Sequence, residues 1–138
     1  CLLPRRSRSL SGDMEQQPFR ILIVDDDEQL LRLLESLVGK LRYHGTGFLR
    51  ARDAIETFEL DPGSYRLLIT DMSLAEISGE ELAIRMMRAA PELRVILCSG
   101  YPFDVDSLPE GFRERATFVH NPFSPRELTE TVKRLFDQ

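Results

Sequence analysis

Leu67-Leu68-Ile69-Thr70-Asp71 is a run of aliphatic and β-branched residues that stops at a carboxylate. Other runs in the chain share its form. Ile21-Leu22-Ile23-Val24 ends in Asp25-Asp26-Asp27, Val95-Ile96-Leu97-Cys98 ends in Ser99, and Thr117-Phe118-Val119-His120 ends in Asn121. Short runs of this kind, bounded by turn formers, read as buried parallel strands. In open α/β sheets, ligands bind just beyond the carboxyl ends of such strands. The pattern therefore gathers several carboxylates, a hydroxyl and an amide at one sheet edge, with Asp71 as the residue expected to carry chemistry.

Helical patterns fill the intervals. The first is expected over about residues 28–38, with Leu30, Leu33, Leu34 and Leu37 as its apolar stripe and Gly39 as its stop. A weaker strand follows around residues 43–49, interrupted by Gly45 and Gly47. Ala51, Ala54, Ile55 and Phe58 recur at helical spacing, and Asp61-Pro62-Gly63 is a turn. Ser78-Gly79-Glu80-Glu81 reads as a capping box opening a third helix, which runs through Leu82, Met86 and Met87 and halts before Pro91. Pro109 and Gly111 predict a short or broken helix within residues 104–115. Ser124-Pro125-Arg126-Glu127 opens the last helix, with Leu128, Val132 and Leu135 as its buried stripe. Strand and helix alternate through residues 19–138, which implies a parallel sheet covered on both faces. With right-handed crossovers the expected fold is α/β, a doubly wound five-stranded sheet in the order 2-1-3-4-5. Strands 1 and 3 would be neighbours, with strands 4 and 5 flanking strand 3.

Composition narrows the function. The 138 residues suffice for one domain with a core, and 42% hydrophobic with 30% charged residues is ordinary for a soluble protein. No apolar run approaches the roughly 18 residues of a membrane span, so no membrane contact is expected. The net charge is −5, although Arg5, Arg6 and Arg8 sit in a stretch without acids, leaving the body more acidic still. An acidic body argues against nucleic-acid binding. Residues 1–18, rich in Arg, Ser, Gly and Gln, read as a linker or tail, and residues 19–138 as the folded domain. Cys1 and Cys98 form no disulfide framework or metal spacing, and Cys98 reads as a small core residue. A reducing cytoplasm is the expected compartment. A chain that starts at Cys1 is expected to come from a longer protein.

Asp25, Asp26 and Asp71 at one edge would raise one another's pKa unless a cation resolves the repulsion. An open, partly hydrated carboxylate site suits Mg²⁺ or Mn²⁺. Asp27, ahead of Glu28, is expected to cap the first helix instead. Given a metal, Asp71 can act as nucleophile toward a phosphoryl donor, with an opposing hydrogen-bond donor holding another oxygen. Ser99 is placed to be that donor, or else to close a tight turn before Gly100; spacing does not choose. Gly100 leaves the pocket mouth open.

The segments ILIVDDDE (21–28), LLITDMSLAEISGEEL (67–82), VILCSGYP (95–102) and NPFSPREL (121–128) resemble the receiver domain of two-component response regulators. The resemblance implies a flavodoxin-like fold and Asp71 as phospho-acceptor. It implies Asp26 and Asp71 as direct metal ligands, Asp25 acting mainly through water, and Ser73 lending its main-chain carbonyl. Ser99 matches the switch hydroxyl and Phe118 the aromatic that moves with it. The partner would be a histidine kinase or phosphotransfer protein, and a homodimer through the last helices is a further pairing of this family. The Asn121–Pro122 bond is implied to be cis. The segment Cys1-Leu2-Leu3-Pro4-Arg5 also resembles the last strand of a kinase ATP-binding domain, from which a C-terminal receiver of a hybrid histidine kinase is expected.

The family carries lysine where this chain has Asn121. An amide donates hydrogen bonds without charge, and a bond from a charged donor is roughly twice as strong. Metal binding should survive while phosphorylation or its readout weakens. His120 is adjacent, but strand alternation turns it to the other face. Leu74-Ala75 replaces the usual Met-Pro and should loosen that loop, and a partner that reads an intact fourth helix should not dock. The expected function is therefore a phospho-accepting signalling domain that at most catalyses its own phosphorylation and dephosphorylation. The alternatives are a degenerate receiver acting as a protein-interaction module, or a metal-dependent phosphohydrolase built on the Asp25-Asp26-Asp27 run.

Overall fold

Apolar side chains alternate to both faces of every central strand, and this dictates the layering. In the computed structural model, which describes residues 20–136, the strands are β1 (Arg20–Val24), β2 (His44–Phe48), β3 (Tyr65–Asp71), β4 (Arg94–Ser99) and β5 (Ala116–His120). They are all parallel, in the order β2-β1-β3-β4-β5. Ile21, Ile23, Leu67, Ile69, Ile96 and Val119 share a core with α1 (Glu28–Lys40) and α4 (Pro125–Phe136). Leu22, Val24, Leu68, Val95 and Leu97 share the other core with α2 (Ala51–Leu60) and α3 (Gly79–Ala89). Among the described strands β5 pairs only with β4, at the sheet's edge. It does not flank β3 as expected, because β4 lies between them. No helix among the described residues is long and apolar enough to cross a membrane. The linker and the kinase-like segment expected at residues 1–18 lie outside the described residues.

Helix α1 departs from its expected bounds. It continues through Gly39 to Lys40, and its buried residues are Leu31, Leu34, Leu37 and Val38, whereas Leu33 is exposed. Leu34 and Leu37 are buried as expected and Leu30 packs partly buried against the same core, while Leu31 and Val38 join them and Leu33 turns outward. The helix stops where Arg42 takes a left-handed φ of 70° and its N–H bonds the Gly39 carbonyl at 3.0 Å, with the Tyr43 N–H on the Val38 carbonyl at 3.1 Å. Arg42 thus fills the left-handed place that glycine usually takes. At the other end, Asp27 Oδ1 accepts from the N–H groups of Gln29 and Leu30 at 3.0 and 3.3 Å, as expected of a cap.

The glycines of β2 have a packing reason. A Cβ on Gly45 would lie 2.4 Å from Val38 Cγ2, and one on Gly47 would lie 2.7 Å from Glu35 Oε2. Both let α1 lie close against β2. The capping box at Ser78 and Glu81 is complete, and Glu127 N–H donates to Ser124 Oγ at 3.0 Å at the start of α4.

Between β4 and β5 there is no α-helix, only single 3₁₀ turns at Val105–Ser107 and Arg113–Arg115. Gly111 has φ 96°, a conformation that a helix cannot hold. Arginines stand in for the missing helical bonds. Arg115 donates to the carbonyls of Leu93 (3.0 Å), Met87 (3.2 Å) and Ala90 (2.5 Å), closing the carboxyl end of α3. Arg113 Nε donates to the Leu108 carbonyl at 3.2 Å, and the Arg88 guanidinium lies over the Phe112 ring, 5.7 Å from its centroid.

The amino end of α3 abuts the sheet directly. Gly79 N–H donates to the Met72 carbonyl at 2.9 Å, and a Cβ at Gly79 would fall 2.3 Å from the Asp71 carbonyl oxygen and 2.8 Å from Met72 Cα. Backbone atoms cannot swing aside as a side chain can. Gly79→Ala is therefore expected to destabilise the domain by about 2 kcal/mol or more. Gly39→Ala, whose added methyl meets nothing within 4 Å in a helix, should stabilise it by about 0.5–1 kcal/mol. Urea unfolding midpoints of the two variants, moving in opposite directions from the wild type, check this.

Candidate functional site

Strand register builds the site. β1 and β3 pair Val24 with Thr70, so the next residues, Asp25 and Asp71, emerge side by side at the carboxyl edge, and Asp26 follows in the turn to α1. One carboxylate oxygen from each of Asp25, Asp26 and Asp71 lies within 4.8 Å of the others. Asp25 is buried, Asp71 half-buried and Asp26 exposed. Asp25 Oδ1 accepts the Asp27 N–H at 2.8 Å, and the Asp25 N–H donates to the Phe48 carbonyl at 3.1 Å.

Burial pushes the Asp25 carboxyl up to about 6, the Asp27 N–H opposes this, and the charges of Asp71, Asp26 and Asp27 raise it further. Asp71 is raised by burial first and by Asp26 second. The Ser73 N–H works against both, as does that of Met72, which bonds the Cys98 carbonyl at 2.9 Å. None of the groups acting on either carboxyl is a cation. A cluster of hard oxygen donors with uncompensated negative charge fits Mg²⁺ or Mn²⁺. The run Asp25-Asp26-Asp27 does not supply the paired nucleophile and second acid of a phosphohydrolase. Asp27 is turned to the N–H groups of α1 and stands outside the cluster.

Ser99, at the end of β4, is buried, and its Oγ accepts the Tyr101 N–H at 3.0 Å. The two readings of this hydroxyl coexist: its oxygen closes the turn, and that bond leaves its proton free to be donated. Asn121 is half-buried, its N–H donates to the Ser99 carbonyl at 2.7 Å, and the Asn121–Pro122 peptide is cis. A Cβ on Gly100 would meet only the Asn121 carbonyl oxygen, at 3.6 Å, so the mouth between them is open. Phe118 is half-buried, with its ring 6.3 Å from that of Phe103 and 6.5 Å from that of His120. His120 is exposed on this side of β5, opposite to Val119. Ser73 is exposed in the turn that joins β3 to α3.

Two contributors to the site were not legible in residue spacing. Main-chain N–H groups of residues 27 and 73 orient the carboxylates, and no side-chain pattern announces them. Cys98 pairs with Asp71 across β3 and β4, and burial, followed by Asp25 and Asp71, pushes its thiol up to about 12. Its place on the strand before Ser99 was the available signal.

Comparison with known proteins agrees with this geometry. The family model described as "Response regulator receiver domain" matches residues 21–133. The response regulator receiver protein CpdR of Brucella abortus is 28% identical over 116 residues, which is 84% of this chain and 95% of that protein. The chain spans only 15% and 14% of two longer curated relatives from Arabidopsis thaliana. Among solved structures, a CheY-like receiver domain protein from Methanospirillum hungatei superposes with a TM-score of 0.77 at 27% identity, covering 88% of this chain and 95% of that one. The response regulator TrrA of Thermotoga maritima, solved in complex with Mg(2+)-BeF, gives 0.71 at 28% identity, covering 84% and 97%.

The Asp25 shift has a sign that can be tested. Its folded-state pKa of about 6 lies above the ordinary 3.8, so the folded protein holds the proton more tightly. Stability from this group is full below the lower value and is lost as pH rises through about 6. Without divalent cations, Asp25→Asn should therefore be more stable than wild type at about pH 7.5, by about 2 kcal/mol. The gap should close as pH approaches about 4. Thermal unfolding of both proteins across this range, with chelator present, measures it.

Proposed function

The chain belongs to the family of response regulator receiver domains, and from that membership we propose that it accepts a phosphoryl group on Asp71 from the phosphohistidine of a histidine kinase or phosphotransfer protein. The observation that carries this reading is the convergence of Asp25, Asp26 and Asp71 at the carboxyl ends of adjacent strands. The same reading assigns residues 19–138 to the receiver and 1–18 to a linker.

In the transfer, a carboxylate oxygen of Asp71 attacks phosphorus as the donor's P–N bond breaks, and the imidazole leaves with a proton. Asp26, Asp71 and the Ser73 carbonyl would hold Mg²⁺ or Mn²⁺, with Asp25 acting mainly through water. A divalent cation bound there supplies charge neutralisation for the transferring group. The Ser99 hydroxyl donates to a phosphoryl oxygen, for which it keeps a proton while its oxygen accepts from Tyr101. Asn121 donates from its amide on the other side, without the charge of the family's lysine. The acyl phosphate adds a dianionic group at the sheet edge. Ser99 responds by moving inward, and Phe118 shifts with it against Phe103.

Asn121 also favours a second reading, a receiver that works as a protein-interaction module with little phosphorylation. A charged donor in its place strengthens binding of the developing phosphoryl charge by about 1.4 kcal/mol, about tenfold in rate. Incubation with acetyl phosphate and Mg²⁺, followed by intact mass, is expected to show one added phosphoryl group in wild type and none in Asp71→Ala. Asn121→Lys should accumulate it about tenfold faster. An adduct seen only in Asn121→Lys would favour the interaction module, and no adduct in either would overturn phospho-acceptance.

A further inference from the structure

Helix α2 begins without a local cap. Its N-cap residue is Arg50, whose side chain makes no capping bond, so the first-turn N–H groups have no acceptor from their own segment. The Arg52 N–H instead donates to Glu76 Oε1 at 3.3 Å, across 24 residues of sequence. Glu76 lies in the turn between Asp71 and Gly79, the same turn that carries Ser73. Its carboxylate supplies the acceptor that Arg50 cannot, and places a negative charge at the positive end of the α2 dipole. Glu76 Oε2 also lies 3.6 Å from Arg52 Nη2, but that guanidinium is 66% exposed and the pair is screened by water.

The turn itself is closed at its base, where the Gly79 N–H meets the Met72 carbonyl at 2.9 Å. Leu74 and Ile77 of the turn pack against the core beside α2 and α3, and the bond from Glu76 adds a directional tie from its apex to the start of α2. We infer that Glu76 is a positioning residue: by capping α2 from a distance, it fixes the turn that presents the Ser73 main chain to the acidic cluster. The cap bond, not the ion pair, is the tether. This inference rests on the proposed cation site for its functional consequence and on the Glu76–Arg52 contact alone for its structural one.

The experiment uses the full chain with Glu76→Ala, Glu76→Gln and Arg52→Ala. Amide hydrogen exchange without metal reads the turn (residues 72–78) and the start of α2 (residues 51–54), and calorimetric titration with Mg²⁺ reads the site. Glu76→Ala is expected to speed exchange in both segments and to weaken Mg²⁺ binding by about threefold to tenfold. Glu76→Gln keeps a carbonyl oxygen for the Arg52 N–H and should recover most of both losses. Arg52→Ala keeps the main-chain donor and should behave as wild type. Unchanged exchange in residues 72–78 of Glu76→Ala, or acceleration spread over the whole chain, would overturn the inference. So would Arg52→Ala reproducing the Glu76→Ala pattern, since the ion pair would then be the tether. Wild type that fails to bind Mg²⁺ would overturn the cation site, while the exchange comparison would still decide whether Glu76 holds the turn.

Discussion

Parallel pairing of β1 with β3, in one register from Ile21–Leu67 to Val24–Thr70, is the constraint from which the rest follows. Both strands are buried on both faces, so a slip of one residue would exchange every side chain between the two cores. The register is thereby locked by the aliphatic residues, and Asp25 and Asp71 are carried to neighbouring positions whatever their mutual repulsion. Local energetics alone would separate such groups. The apolar strands behind them hold them together and bury them, and burial first, with neighbouring carboxylates second, raises the pKa of each.

Close approach of backbones does the remaining positioning. Gly79 lets α3 begin against the Asp71 carbonyl, and Gly45 and Gly47 let α1 settle on β2. The main chain that leaves Asp71 is therefore confined at once. Between β4 and β5, on the face that α3 also covers, side chains take over where regular structure fails. The crossover from β4 to β5 lacks a helix, and Arg115 binds it to the carbonyls that end α3.

Much of this was legible in the sequence because it rests on hydrophobic period and capping chemistry. The aliphatic runs gave the strands and their order, Ser78 with Glu81 marked a helix start, and Pro109 with Gly111 marked a broken one. Asp25, Asp26 and Asp71 could be grouped because topology alone brings strand ends together. What could not be read depended on three-dimensional proximity. Gly39 looks like a helix stop, but termination depends on which residue adopts the left-handed conformation, and Arg42 does so. Leu33 has the same chemistry as Leu34, and only the path of α1 across the sheet decides which of them is buried. Gly45 and Gly47 read as weak points in a strand, and their reason lies on the helix that precedes it. The remote cap on α2 joins segments far apart in sequence and has no local signature.

Cys98 pairs with the proposed phosphoryl acceptor across the strands, yet it is sealed from solvent within an aliphatic core, with carboxylates near enough to oppose its ionisation. Oxidants and alkylating agents attack the thiolate, a form that this sulfur scarcely populates at neutral pH. The carboxylate edge one strand away is accordingly insulated from thiol oxidation at this position.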